Sequence, residues 1–392
     1  MLRQARASGK KRLYFLARDA YPVYLAARRL CASGAPALDC RYLHVSRYSL
    51  RMAEYGLMGP ACTERLCVGG IRVTLRKILA RGGVEDLASV LAEELGMAGE
   101  EDRVLNYPEI LALRPRLQAS ERFLAAVAER SKRVFPDVMR YLEQEGLLED
   151  VPWALVDSGW IGTLQQTMER LLRSRRPDMR LEGYYFGLYE VPAGARRDAY
   201  RCFYFSPASG LRRKVLFSNC LFETLCSAPE GMTLRYAPAA DGRMAPVLQG
   251  EGLNRARMER YCAMIDRLAE LYGAGRGAPE VSVRCAELLG TLMARPGAWE
   301  AESFGELRFC DDVLENTVQQ IAEPLGRREL RQQRLWNRAL ILLGIRKEAL
   351  RESAWPEGSL ARSADSTVLD FARIRLYKLL VYLRKTWKTA RR

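Results

Sequence analysis

Residues 13–19 read Leu13-Tyr14-Phe15-Leu16-Ala17-Arg18-Asp19, an apolar run cut off by two opposite charges. A run that short, with no polar alternation, fits a strand buried on both faces, and such strands belong to parallel sheets covered by helices on either side. The chain that follows agrees. Residues 21–30 place Tyr21, Tyr24, Leu25 and Ala27 near one helical face, and Gly34 and Pro36 stop that helix. Residues 41–45 form a second strand-like run that gives way to Ser46-Arg47. Strand, helix and strand in immediate succession predict a right-handed parallel crossover.

Further along, residues 73–147 change to helical periods, clearest at 87–95 and 123–142, and read as a helical insertion. A third strand is expected at residues 153–157, ending in Asp157, with Ser158-Gly159-Trp160-Ile161-Gly162 as the loop and residues 163–172 as the next helix. Residues 181–189 and 200–205 supply two more strands. After Pro246 the pattern is mainly helical, with segments at 255–272, 281–293 and 313–321, a linker around 344–358 and a last helix at 366–388. The expected architecture is therefore α/β: a parallel, Rossmann-like sheet domain in residues 1–60 and 150–250, a helical insertion in 61–149 and a helical region in 251–345. A linker and a basic amphipathic helix fill 346–392.

The chain has 392 residues, 48% of them hydrophobic, enough for a substantial core. Residues 1–12 are basic and polar and lack the apolar stretch of a secretory signal, and no run of about 18 apolar residues occurs, so a cytoplasmic, non-spanning protein is expected. Its ten cysteines then read as reduced structural thiols, and with one histidine a zinc site is disfavoured. The formal charge is +15. Between Ser366 and Arg392 eight basic residues face Asp370 alone, a net +7, interleaved with Phe371, Ile374, Tyr377, Leu380, Val381 and Trp387. Such a helix either docks its stripe on the body or lies on an anionic surface, as a peripheral contact at the inner membrane face. The dispersed arginines of the body do not suggest the continuous basic groove of a nucleic-acid binder.

In an open parallel sheet, ligands bind beyond the carboxyl ends of the strands. Three polar strand ends are predicted there: Arg18-Asp19, Ser46-Arg47 and Asp157-Ser158-Gly159. Arg18 and Arg47 carry forked donors suited to phosphate, while Ser46, Ser158, Gly159, Gly162 and Thr163 offer hydroxyls or close backbone approach at a helix start. Asp157 would repel a phosphate, so it is expected to hold a sugar hydroxyl, a magnesium ion or one of the arginines, and Asp19 has the same choice. Trp160 could stack on a base or sugar or plug the end of the sheet. Glu223, in an apolar stretch, reads as a general acid or base or as a salt-bridged structural group. His44, placed within the second strand, reads as a core histidine. The P-loop, the G-x-G-x-x-G turn and the G-x-S-x-G elbow are all missing from the sequence.

Residues 13–21 (LYFLARDAY), 45–50 (VSRYSL), 156–165 (VDSGWIGTLQ), 222–231 (FETLCSAPEG) and 304–312 (FGELRFCDD) resemble a large bacterial family. Its members are described as predicted HAD-superfamily hydrolases associated with surface-polysaccharide genes, sometimes fused to glycosyltransferases. In that family the phosphatase-like portion, with its D-x-D loop, lies upstream of the module this chain resembles, and Asp157-Ser158-Gly159 is not a D-x-D loop. The resemblance implies a module acting beside a HAD phosphatase or a glycosyltransferase. The strand, arginine loop and acidic loop are also similar to the layout of phosphoribosyltransferases, without their full acidic pair or T-G-x-T ending. Together these readings imply a phosphosugar- or nucleotide-binding module, a transferase or hydrolase if it turns over. The alternative is a non-enzymatic scaffold that binds an anionic membrane or a glycosyltransferase partner through the basic C-terminal helix.

Overall fold

The computed structural model describes residues 1–33, 37–70, 72–273, 281–310, 318–342 and 353–390. Its centre is a five-stranded sheet of β1 (Arg12–Leu16), β2 (Asp39–Leu43), β3 (Trp153–Trp160), β4 (Gly183–Leu188) and β5 (Tyr200–Phe205), all parallel, in the order 2-1-3-4-5. This is the Rossmann-like α/β class that the run at residues 13–19 predicts. The chain steps outward from β1 to β2 on one side and from β3 to β4 and β5 on the other. The switch point of the sheet therefore lies between β1 and β3.

In chain order the helices are α1 (Leu2–Ala7), α2 (Tyr21–Ala32), α3 (Arg47–Met58), the short α4 (Thr63–Leu66), α5 (Leu75–Arg81), α6 (Ala88–Glu94), α7 (Tyr107–Ala119), the long α8 (Glu121–Gln144) and α9 (Thr163–Arg173). All five residues of β1 are buried, because alternate side chains enter different layers. Leu13 and Phe15, with Ala154 and Val156 of β3, pack against Ala5 of α1 and Ala27 of α2. Tyr14, Leu16 and Leu155 face Leu50 of α3, Leu142 of α8 and Leu171 of α9. Glu54 of α3, wholly buried, accepts from Thr167 Oγ1 at 2.7 Å and pairs with Arg170, which ties α3 to α9 across this layer. The insertion carries its own core, in which Leu66, Ile78, Leu91, Leu117 and Phe123 are buried together.

The remainder runs α10 (Leu211–Leu216), α11 (Asn219–Leu225), a hairpin of β6 (Thr233–Pro238) and β7 (Met244–Leu248), α12 (Arg255–Leu271), α13 (Val281–Ala294), α14 (Ala298–Gly305), the two-residue strands β8 (Arg308–Phe309) and β9 (Gln319–Gln320), α15 (Arg327–Gln332), α16 (Leu335–Leu342), α17 (Pro356–Arg362) and α18 (Val368–Ala390). Trp355 anchors the last layer: it is fully buried and its indole donates to Met293 O at 2.8 Å.

Four expectations change. The second strand stops at Leu43, because the peptide groups of His44 bond to side chains instead of a ladder: its N–H donates to Tyr141 Oη at 3.0 Å and its carbonyl accepts from Tyr236 Oη at 2.9 Å. The third strand runs on to Trp160, since β4 continues to pair with it through Asp157↔Tyr185, Gly159↔Gly187 and Trp160↔Leu188. The β6–β7 hairpin falls where no strands were expected, with Asp241-Gly242 in its turn. Of the helix expected at 313–321, residues 313–317 lie outside the described residues, and Gln319–Gln320 pair as a strand with Arg308–Phe309. The linker expected around 344–358 also falls largely outside the described residues, as do Gly34 and Pro36, the residues expected to stop α2. The same holds for the last two residues of the 304–312 motif.

Candidate functional site at the switch point

The β1–β3 pairing ends at Phe15↔Val156, while β3 carries on beside β4. Asp157 and Ser158 therefore emerge, still in strand conformation, level with the point where β1 turns into Arg18 and Asp19. Ser158 Oγ donates to Asp19 Oδ2 at 3.2 Å. Burial, followed by the charge of Asp19, pushes the Asp157 carboxyl up to about 7, with Arg47 and hydrogen bonds from Ser158 opposing. Burial raises Asp19 as well, against the attraction of Arg18, the Ser158 hydroxyl and Arg47. Two carboxyls thus lie close together with the charges of two guanidiniums acting on them. Arg18, Asp19, Arg47, Asp157 and Ser158, predicted from three separate segments, converge here.

Beside them lies a basic zone that the sequence reading found only in part. Arg51 follows Arg47 by one helical turn on α3, so the two share a face. Arg51 Nη2 donates to Oγ1 of Thr163, the first residue of α9, at 3.0 Å. Its Nε is buried without a partner. Burial, together with the charges of Arg47 and Arg65 and against Tyr55 and Glu54, pulls Arg51 down to about 10. Arg65 is tied to Gln166 of α9. α9 itself opens at Gly162 with φ +67 and no side-chain cap, so its first-turn N–H groups are claimed by no capping side chain. Crowded guanidiniums at an uncapped helix start favour an anion.

The other predicted residues have tasks of their own. The Ser46 hydroxyl accepts from Ser49 N at 2.9 Å as the cap of α3 and donates to Thr233 O at 2.6 Å, which commits it to holding the hairpin. Gly159 and Gly162 need no ligand to explain them. A Cβ on Gly159 would lie 2.3 Å from Gly187 O, and one on Gly162 would lie 2.6 Å from the Tyr200 ring. Trp160 plugs the end of the sheet, its ring among Tyr189, Phe205, Phe217 and Phe222, and its indole N–H donates to Glu223. Glu223, read from sequence as an acid or base or as a structural group, thereby holds the Trp160 indole at the end of the sheet. His44, expected in the core, lies past the end of β2, partly exposed, with Nδ1 3.4 Å from Glu230 Oε1.

Arg51 and Arg65 were read only as two of the dispersed arginines of the body, and nothing local says that they meet α9. Two carboxylates, with oxygen atoms brought by a phosphate, are a donor set magnesium accepts. Asp19 and Asp157 are the residues that would hold it. Among the described residues no group of three or more His, Cys, Asp or Glu side chains could cage a metal, so a magnesium ion here would need the ligand's oxygens to complete its shell. Fold and site together define a doubly wound α/β protein with a cluster of charged residues at its switch point. No protein-family model and no curated protein matches the chain.

Proposed function

We propose that the charged cluster at the β1/β3 switch point binds a phosphate-bearing ligand, a phosphosugar or a nucleotide. The observation that carries this reading is that Asp19, bonded to Ser158, lies beside Asp157 at the carboxyl side of the sheet with the charges of Arg18 and Arg47 acting there, while Arg51, a turn beyond Arg47, holds the start of α9. The guanidiniums take the phosphate, and the acid pair takes hydroxyls or, with the phosphate, a magnesium ion. A carboxyl that titrates near neutrality can also give or take a proton, as a transferase or hydrolase would need. The resemblance to the polysaccharide-associated HAD family supports a role in surface-glycan synthesis, alongside a HAD phosphatase or a glycosyltransferase.

Thermal denaturation with inorganic phosphate, pyrophosphate, phosphosugars and sugar nucleotides, with and without Mg²⁺, tests the reading. At 100 times Kd a ligand adds about 2.7 kcal/mol, which is a rise of several degrees in Tm. The rise is expected to vanish in Arg18→Ala and in Asp157→Asn, each compared with its own unliganded baseline. If no compound moves Tm, or the variants respond as the parent does, the proposal is wrong.

A second task falls to α18, for a reason specific to its exposed face. Leu376, Leu380 and Leu383 form a stripe open to solvent, with Leu380 54% and Leu383 51% exposed. The opposite face holds the helix to the body through buried Ile374, the stacked rings of Tyr382 and Tyr189, and the pairs Lys378–Glu357 and Lys385–Glu190. Part of the positive charge is thus used in docking, while the apolar stripe is left over. No helix among the described residues is long and apolar enough to cross a membrane. Peripheral contact with an anionic bilayer fits this face. Sedimentation with phosphatidylserine vesicles is expected to carry down the protein, less so at high salt and not in a Leu380→Glu/Leu383→Glu variant. Equal sedimentation of that variant would remove α18 from the account.

A further inference from the structure

A cavity of about 560 Å³ opens between α9 and the two connections that follow it, residues 174–182 before β4 and residues 189–199 before β5. Four arginines line it, Arg170, Arg173, Arg180 and Arg196, against the single carboxylate of Glu169. Arg170 and Arg173 are neighbours on one face of α9, and the other two arrive from the two connections. None of Arg18, Asp19, Arg47, Arg51 and Asp157 is in its walls, so the cavity is a place apart from the switch-point cluster.

The other polar side chains of the walls are committed to holding them. Gln165 donates to Leu181 O at 3.0 Å and accepts from Tyr185 Oη at 2.8 Å. Gln166 donates to Ala193 O at 3.2 Å and accepts from Arg65, and Glu169 accepts from Leu181 N at 3.0 Å. These bonds fasten both connections to α9, so the cavity has its shape before a ligand enters, and little ordering is left to oppose binding. The Tyr200 ring stacks on Tyr185, with centroids 5.6 Å apart, and crowds Gly162, where a Cβ would meet it at 2.6 Å. It is not free to stack on a base.

The arginines are differently placed. Arg170 pairs with the buried Glu54, and drawing it away would strand that carboxylate. Arg173 and Arg180 each donate to a nearby carbonyl, Nε to Pro177 O at 3.1 Å and Nη1 to Met179 O at 3.0 Å, which leaves most of each guanidinium's donors over. The carboxylates beside Arg173 and Arg196, those of Glu169 and Asp198, stand at 3.9 and 3.8 Å, past hydrogen-bond range. A cleft lined so largely by one sign of charge concentrates anions. Cavities of this size hold ligands well beyond a lone phosphate. Gly194, Ala195 and Ala199 are the small apolar residues of the walls, so an apolar body gains little here. Phosphate oxygens point several ways and can meet forks from different walls, where a planar carboxylate meets one.

We infer that the cavity beside α9 is a second anion site, which takes the phosphate chain of a small di- or triphosphate compound on Arg173, Arg180 and Arg196. It goes beyond the switch-point reading and does not depend on it.

The test is a calorimetric titration of the Arg18→Ala protein, whose switch-point site is disabled, with tripolyphosphate, pyrophosphate, phosphate and citrate. One tripolyphosphate per chain is expected, bound at least tenfold more tightly than phosphate or citrate and more weakly as salt rises. Adding Arg180→Gln and Arg196→Gln is expected to weaken it at least tenfold. Adding Arg122→Gln, which removes an arginine 61% exposed on α8, is expected to change nothing, so that net charge alone is ruled out as the cause. Binding that does not saturate, equal binding of citrate, an unaffected Arg180→Gln/Arg196→Gln protein or an equal loss in Arg122→Gln would each overturn the inference. Failure of the switch-point reading shows elsewhere, as a response to phosphosugars that Arg18→Ala leaves intact, and does not alter these outcomes.

Discussion

Asp157→Asn is expected to stabilise the protein above pH 7 while abolishing ligand binding. The native carboxyl holds its proton to about pH 7, and the unfolded chain releases it near 3.8. Between those values the native state binds more protons than the unfolded state, so stability falls as pH rises through the window. The full cost, reached above pH 7, is on the order of 4 kcal/mol. Asparagine keeps the shape and carries no charge, so the cost disappears, and Asp19, freed of its neighbour's repulsion, ionises more readily. Urea denaturation of parent and variant at pH 4, 6 and 8 reads this directly. The two should be close at pH 4 and diverge steadily toward pH 8. A gap that stays flat, or a variant less stable at pH 8, would show that burial and the neighbouring Asp19 do not raise this carboxyl. A destabilising carboxyl whose removal costs function is the usual mark of a binding or catalytic site, where the charge is kept for the ligand.

The second large effect is expected from Gly159→Ala, which should unfold the carboxyl half of the sheet or cost at least about 4 kcal/mol. Gly159 has φ +119, a conformation that side-chain-bearing residues rarely adopt. Its missing Cβ would stand 2.3 Å from Gly187 O and 3.1 Å from a methyl of Leu188. The first of these is backbone of the adjacent strand, paired residue to residue with Gly159, so neither chain can move without breaking the β3–β4 ladder. Gly9→Ala supplies the control. Gly9 has φ +73 and nothing within 4 Å of the added atom, so only the backbone preference is lost, at about 1 kcal/mol. Similar losses for the two alanine variants would mean that β3 and β4 can part more easily than their pairing implies.

The sheet was legible because a strand buried on both sides has to be apolar throughout. Leu13 to Leu16 can be read that way with no knowledge of what covers them, and the charges at Arg18 and Asp19 mark the end of the buried layer. The boundary at Asp157 was misplaced for a converse reason. Ser158 and Gly159 look like a turn, but β4 supplies a partner ladder that keeps them extended, and a partner strand is invisible in the local sequence. His44 was assigned to the core because it was read as lying within the second strand and not past its end. Glu230, which faces it, is 186 positions further on.

Sequence alone determined the class of fold, the order of its main segments and five of the polar residues at the switch point, because buried strands, helix periods and charged strand ends are all local patterns governed by what each residue can afford to bury. Tertiary structure decided which of those residues touch. It set the pairing of Asp19 with Asp157 and brought Arg51 to the start of α9. It also brought Glu230 to His44 and left the stripe on α18 bare. These depend on how far β3 outruns β1 and on where distant loops land, and electrostatic strain between two acids arises only once burial has removed the water that would screen them.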